Sequence, residues 1–209
     1  TEIYTLSLHD ALPISHSITS GGIMSAITSK AQICNMALVH LGLNRSVNDI
    51  DVATSGIEGI FSLFYDHTRR LLLRELIPSF SVKRRKVAKL STSSSFGYTY
   101  SYEYPSDAIR ILGVDSVMYK KNDYAIEDGA IHTDTDWEDG MPIRYISDVT
   151  DVSSFSDEFI ELLSWQLALN VCMDITQDPQ KAQSISNAIS TIKASLMSMD
   201  SQENRPIRI

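Results

Sequence analysis

Residues 31–42, Ala31-Gln32-Ile33-Cys34-Asn35-Met36-Ala37-Leu38-Val39-His40-Leu41-Gly42, read as a short amphipathic helix stopped by glycine. A Ser/Asn/Asp linker follows. A longer helix then contains Phe64-Tyr65-Asp66-His67-Thr68-Arg69-Arg70-Leu71-Leu72-Leu73-Arg74 and ends at Pro78. Proline stops it because its ring removes a backbone donor and disfavours a helical residue before it. A basic strand comes next, Phe80-Ser81-Val82-Lys83-Arg84-Arg85-Lys86-Val87-Ala88-Lys89-Leu90. Ser29-x-x-Gln32 and Ser55-x-x-Glu58 both have the form of capping boxes at the two helix starts.

Working outward, the middle of the chain reads as β. Tyr98, Tyr100, Tyr102 and Tyr104 alternate with polar residues, which places four rings on one strand face. Ile109 to Val114, Val117 to Tyr119, Tyr124 to Ile126 and Ile143 to Ile146 are short strand candidates, and Asp128-Gly129 is a hairpin signal. Two helices close the chain. Ser156 caps the third, whose buried side runs Phe159, Leu163, Leu167, Val171, Ile175. Asp178-Pro179 starts the fourth, where Ile185, Ile189, Ile192, Leu196 and Met199 make a narrow seam. The expected fold is α+β, mainly α: a four-helix bundle with an antiparallel β region inserted between the second and third helices. The expected helices span about 30–43, 55–77, 157–175 and 179–199, with the β region at about 80–150.

Two ends are set apart. Residues 1–23 read as a non-native, adapter-derived leader with neither the basic region nor the apolar region of a signal peptide, and Met24 is the expected start of the 24–200 domain. Residues 201–209 are expected to leave the helices as an extended arm, with Arg205, Ile207, Arg208 and Ile209 offered to a neighbour by strand addition or groove binding.

Composition narrows the function. The chain has 209 residues and a net charge of −8, which argues against a simple nucleic-acid binder. No apolar run reaches membrane-span length. Cys34 and Cys172 fall on apolar helix faces and read as buried, reduced thiols. No glycine-rich phosphate loop, nucleophile elbow or zinc-type spacing is present, so no catalytic residue, cofactor or metal is expected. His40, His67 and His132 are scattered and read as structural. Asp134 to Gly140 resembles a calcium loop only superficially. Counted from Asp134, an EF-hand needs glycine at Asp139 and glutamate at Tyr145, so a solvated acidic loop is expected.

The charge pattern carries more. Eight of the eighteen Lys and Arg residues lie between Arg69 and Lys89, with Glu75 alone opposing them: Arg69, Arg70, Arg74, Lys83, Arg84, Arg85, Lys86 and Lys89. The segment from Asp115 to Glu161 holds thirteen acidic residues against three basic ones. Such separation suits basic-to-acidic contact between side-by-side copies. A solvated face and a phosphate-contacting surface are the other readings. The tyrosine ladder could stack bases, but cross-strand packing is the simpler reading.

Three blocks together resemble the phage head-to-tail adaptor proteins, the tail tubular protein A-like family. They are the helix–linker–helix–basic strand quoted above; Tyr104-Pro105-Ser106-Asp107-Ala108-Ile109-Arg110-Ile111-Leu112; and Ile143-Arg144-Tyr145-Ile146-Ser147-Asp148-Val149-Thr150-Asp151 running into Phe155–Phe159 and Leu163–Ala168. In one place the chain departs from that pattern: Pro78-Ser79-Phe80 stands where family members often carry a tryptophan. The resemblance implies a structural virion protein, not an enzyme. It implies a homo-oligomeric ring, commonly a dodecamer, assembled in the host cytoplasm between the portal protein and the tail nozzle or tail tube protein. Genomic DNA would pass through its channel without sequence-specific binding, and no membrane is implied. The rival readings are a non-viral helical interaction or scaffold module and a nucleic-acid-binding regulator using residues 83–89.

Overall fold

A computed structural model describes residues 27–52, 55–92, 97–114 and 124–203, with the side chains of 197–203 excepted. The leader, the Val117–Tyr119 strand candidate and most of the C-terminal arm, with Arg205, Ile207, Arg208 and Ile209, lie outside the described residues.

The described elements are helices α1 (Lys30–His40) and α2 (Gly56–Leu76), strands β1 (Val82–Val87), β2 (Tyr100–Glu103), β3 (Ala108–Val114), β4 (Tyr124–Glu127), β5 (Ala130–Thr133) and β6 (Met141–Ser147), and helices α3 (Asp157–Thr176) and α4 (Pro179–Glu203). Single 3-10 turns at Ser79–Ser81 and Val152–Ser154 lead into β1 and α3.

Local chemistry sets most boundaries. Ser29 caps α1 as its spacing requires: its hydroxyl accepts from the Gln32 amide, and the Gln32 side chain accepts from the Ser29 amide at 3.0 Å. Ser55 makes no such bond; Glu58 instead accepts from the Asn48 amide at 3.0 Å, tying the linker to α2. The last turn of α2 ends on Ile77 in the left-handed region, and Pro78 continues extended. Asp178 caps α4 by accepting from the Gln180 and Lys181 amides. That helix runs to Glu203, so the arm expected from Ser201 is helical for its first three residues.

The expected bundle with an inserted β region is overturned. A pair of helices stands at each end of the chain, with two separate three-stranded antiparallel sheets between them, ordered β1-β6-β3 and β2-β5-β4. The helices do not form a ring of four. In such a bundle each helix has two main neighbours, whereas here α1, α2 and α4 each pack chiefly on α3. The reason lies in α3 itself. Phe159, Ile160, Leu162, Leu163, Ser164, Leu167, Ala168, Val171 and Cys172 are all buried, so apolar residues surround the axis rather than forming a stripe. A helix apolar all round must be enclosed.

Two cores result. The helical core gathers α1, α2, α3, Ile185 and Ile189 of α4, and Ile146 of β6. The sheet core gathers Val87, Ile111, Met141, Ile143 and Tyr145 of the first sheet with Tyr102 and Ile131 of the second. Strand β6 serves both, because alternate residues point to opposite faces: Ile143 and Tyr145 to the sheet core, Ile146 to the helices. The two sheets are also joined covalently. Past Val87 the chain leaves β6 and pairs with β2, where the Leu90 amide donates to the Ser101 carbonyl and the Glu103 amide to the Ala88 carbonyl.

Candidate assembly surface

The basic run does not act as one surface. Arg69 is 2% exposed. It lies on the α2 face that buries Tyr65, Leu72 and Leu73, as its spacing from them requires. One terminal nitrogen donates to Asp148 at 2.5 Å and to the Val149 carbonyl at 2.6 Å; Nε and the other terminal nitrogen reach Asp66 at 3.3 Å. It therefore clamps α2 to the connection between β6 and α3 and is not available to a partner. Arg70, exposed, lies 3.5 Å from the other oxygen of Asp148. Arg74 is exposed too, and its charge opposes the upward push that burial gives the Tyr104 phenol.

Strand β1 sorts the remaining cations by parity. Lys83 and Arg85 share a face with Val87, turned to the second sheet, and both find acids there. Lys83 donates to Asp107 at 3.0 Å, and Arg85 lies 3.9 Å from Glu103. Tyr145 also donates to Asp107. Burial pushes the Asp107 carboxyl up, but the hydrogen bonds from Lys83 and Tyr145 prevail and hold it below its ordinary value; the same bond raises the Lys83 ammonium. Lys89, in the segment that pairs with β2, donates to Asp136 at 2.8 Å and sits 4.0 Å above the Tyr100 ring.

Arg84 and Lys86 project to the opposite face. There the register sets Arg84 across from Arg144, Arg144 across from Gly113, Lys86 across from Pro142, and Arg110 across from Ile146. Arg84, Lys86, Arg110 and Arg144 are all exposed. Among the described residues, Lys86, Arg110 and Arg144 stand in no ion pair; Arg84 has a partner interaction of its own. Gly113 adds no side chain, and a Cβ there would meet nothing within 4 Å. Arg110 and Arg144 were missed because they lie outside the basic run. Their signal was present in strand alternation: Arg144 falls between Ile143 and Tyr145, out of phase with the sheet core.

The other candidates resolve into structure. Tyr102 is fully buried, edge-on to Trp137 with ring centroids 5.7 Å apart, and its hydroxyl accepts from the Trp137 amide. The Tyr102 ring is therefore part of the sheet core, and Tyr100 and Tyr104 pack partly buried against it. Asp134 accepts from the Thr99 amide and hydroxyl, which places the acidic loop in a turn. No group of three metal-ligating side chains occurs among the described residues. Cys34 and Cys172 are both buried and free, and burial pushes the Cys34 thiol up to about 12.

His40 and Ser164 form a pair that the sequence did not announce, Nε2 to Oγ 2.9 Å, with the imidazole stacked on Trp165 at 3.8 Å. Ser164 is fully buried, and its only proton goes to the Glu161 carbonyl at 2.7 Å. The same hydroxyl thus has both the Glu161 carbonyl and the His40 nitrogen within hydrogen-bond reach, and burial closes it to solvent. An opening of about 400 Å³ lined by Lys30, Asp49, Asp51 and Asp151 holds an ion pair, Lys30 to Asp51 at 2.5 Å, and no convergent acid and base.

No protein-family model matches the chain, and no curated protein sequence matches it.

Proposed function

We propose that this chain is a structural subunit of a virion, the head-to-tail adaptor that joins portal to tail as a ring and extends the DNA channel. The observation that carries the reading is how the three resembling blocks lie in the fold. The first supplies α1, α2 and β1, the second β3, and the third β6 and α3. These are the enclosed central helix, two of its neighbours and the whole of one sheet, held together by the Arg69 clamp. The resemblance thus covers one packed unit rather than scattered segments. The sorted charges support a protein partner over a phosphate backbone, because Lys83, Arg85 and Lys89 are already engaged with Asp107, Glu103 and Asp136. A chain of net charge −8 also suits a wall along which DNA slides without being gripped. Among the described residues no helix is long and apolar enough to cross a membrane.

Negative-stain imaging of the chain, alone and with the portal protein, tests the reading. Closed rings with a central channel are expected in at least one of the two samples. A monomer in both would remove it.

A further inference from the structure

We infer that the basic face of the first sheet, Lys86, Arg110 and Arg144 with Arg84, docks on the acidic surface around the start of α3 in a second copy of this chain. The inference rests on the adaptor reading and gives it a contact.

Two features of the face point to an anionic protein surface. Lys86, Arg110 and Arg144 have no counter-ion among the described residues, whereas Lys83 and Arg85 on the other face of β1 are paired. The face also gathers these cations on neighbouring strands, with Arg144 of β6 directly across from β1 and beside β3, which carries Arg110.

The same chain carries the complement. Asp151, Asp157 and Glu158 are exposed at the entry to α3, beside an opening lined by Asp49 and by Asp51, the latter already paired with Lys30. Asp157 and Glu158 stand in no ion pair with a described residue. A basic patch on one copy and an acidic patch elsewhere on the next make a heterologous contact, the kind that closes into a ring when the rotation allows. DNA is the weaker match, since the net charge of −8 would repel a duplex approaching the rest of the surface.

Sedimentation velocity at low and high salt on the full chain tests this, with three variants. One carries Lys86→Glu and Arg144→Glu, the second Asp157→Lys and Glu158→Lys, and the third all four. Thermal melting shows whether each variant folds. Wild type is expected to self-associate at low salt. Each double variant should associate about 10–100-fold more weakly, in the range measured for close interfacial charge pairs. Mixing the two double variants, or combining all four changes, should restore association because the charges are then exchanged. Unchanged association of Lys86→Glu/Arg144→Glu would overturn the contact and leave the ring reading standing. Restoration by mixing in particles that are dimers and not rings would keep the contact and overturn the ring. Wild-type chains that stay monomeric at every salt and concentration would overturn the self-docking. So would tight, salt-sensitive binding to a 30-base-pair duplex that Lys86→Glu/Arg144→Glu abolishes, since the face would then be reading phosphate.

Discussion

The helical body and the sheet region each enclose one core, yet they treat positive charge in opposite ways. The helical body takes a guanidinium inside and satisfies it with two carboxylates and a carbonyl around Arg69. The sheet region keeps its cations outside and divides them by strand parity, one set paired within the chain and one set facing outward. A buried charge must be matched to avoid a desolvation cost, so its geometry is fixed by folding. An exposed charge is under no such constraint, so where it is left unmatched it is open to a partner. The difference separates the cations that hold this molecule together from those available to another.

The largest expected effect comes from breaking the buried side of that comparison. Arg69→Met removes the clamp, leaves the Val149 carbonyl without its donor and strips Asp148 of its closest partner. Loss of one member of a buried pair costs about 3–5 kcal/mol. A lowered urea midpoint with unchanged slope would check it. A loss under about 1 kcal/mol, the value of an exposed pair, would mean that Arg69 behaves as a surface residue.

Next comes the question of whether the two regions unfold together. Each contains one of the two tryptophans, Trp165 stacked on His40 in the helical body and Trp137 against Tyr102 in the sheet core. Ile131→Ala removes a fully buried side chain from the sheet core, at a cost of about 3 kcal/mol. Because β6 contributes to both cores, the shift should appear equally in the fluorescence of Trp137→Phe and Trp165→Phe backgrounds. A shift confined to the background that keeps Trp137 would show two independent units.

How much of this was legible follows from the same physics. The helix positions could be read because amphipathic periodicity and caps are local signals; Ser29 and Asp178 act as their spacing required. The arrangement of the helices was not read correctly. The regular spacing marks one stripe of α3, whereas Leu162 and Cys172 on its other sides already imply neighbours all round. Strand β5 was not singled out because all four of its residues are buried, which erases alternation. Arg69 was grouped with the basic run although its spacing from Tyr65, Leu72 and Leu73 placed it on the buried face. Adjacent residues on a helix point in different directions, so a charge run is not a charged surface. Which acids would meet Lys83, Arg85 and Lys89 depends on how the strands fold back on one another. No local pattern encodes that.

A smaller effect is expected at Gly140, where the turn from the acidic loop enters β6. Its φ is +90°, and a Cβ there would lie 2.9 Å from the Val87 carbonyl oxygen. Gly140→Ala therefore meets both a strained backbone and a clash with main chain that cannot rotate away. A loss of about 2 kcal/mol in chemical denaturation is expected. A neutral result would mean that the turn can shift away from β1.

His40 adds a pH dependence to the helical side alone. Desolvation lowers its pKa from the ordinary 6.5, against a smaller opposing pull from Glu161. The folded state thus holds the proton less tightly than the unfolded one. The stability contribution is complete above 6.5 and declines as pH falls below it toward the lower folded pKa. The melting temperature of wild type should fall over that window relative to His40→Gln. Parallel profiles for the two proteins would show that the imidazole titrates alike in both states.

The smallest effect is the most discriminating, and it lies on the outward side of the comparison. Arg144→Ser removes a charge that has no counter-ion among the described residues and stands directly opposite another arginine. No ion pair with a described residue is lost. Stability should stay within about 0.5 kcal/mol of wild type. Arg85→Ser, one position away in parity, loses its interaction with Glu103 and should fall slightly instead, by an amount typical of an exposed pair. Melting curves of the two variants at low and high salt, run side by side, give the sign of each. If Arg144→Ser is the more destabilising, the outward face is holding the fold together and is not free for a neighbour. If the two variants differ in the expected direction and the difference shrinks with salt, the sorting of charge along β1 is electrostatic in origin.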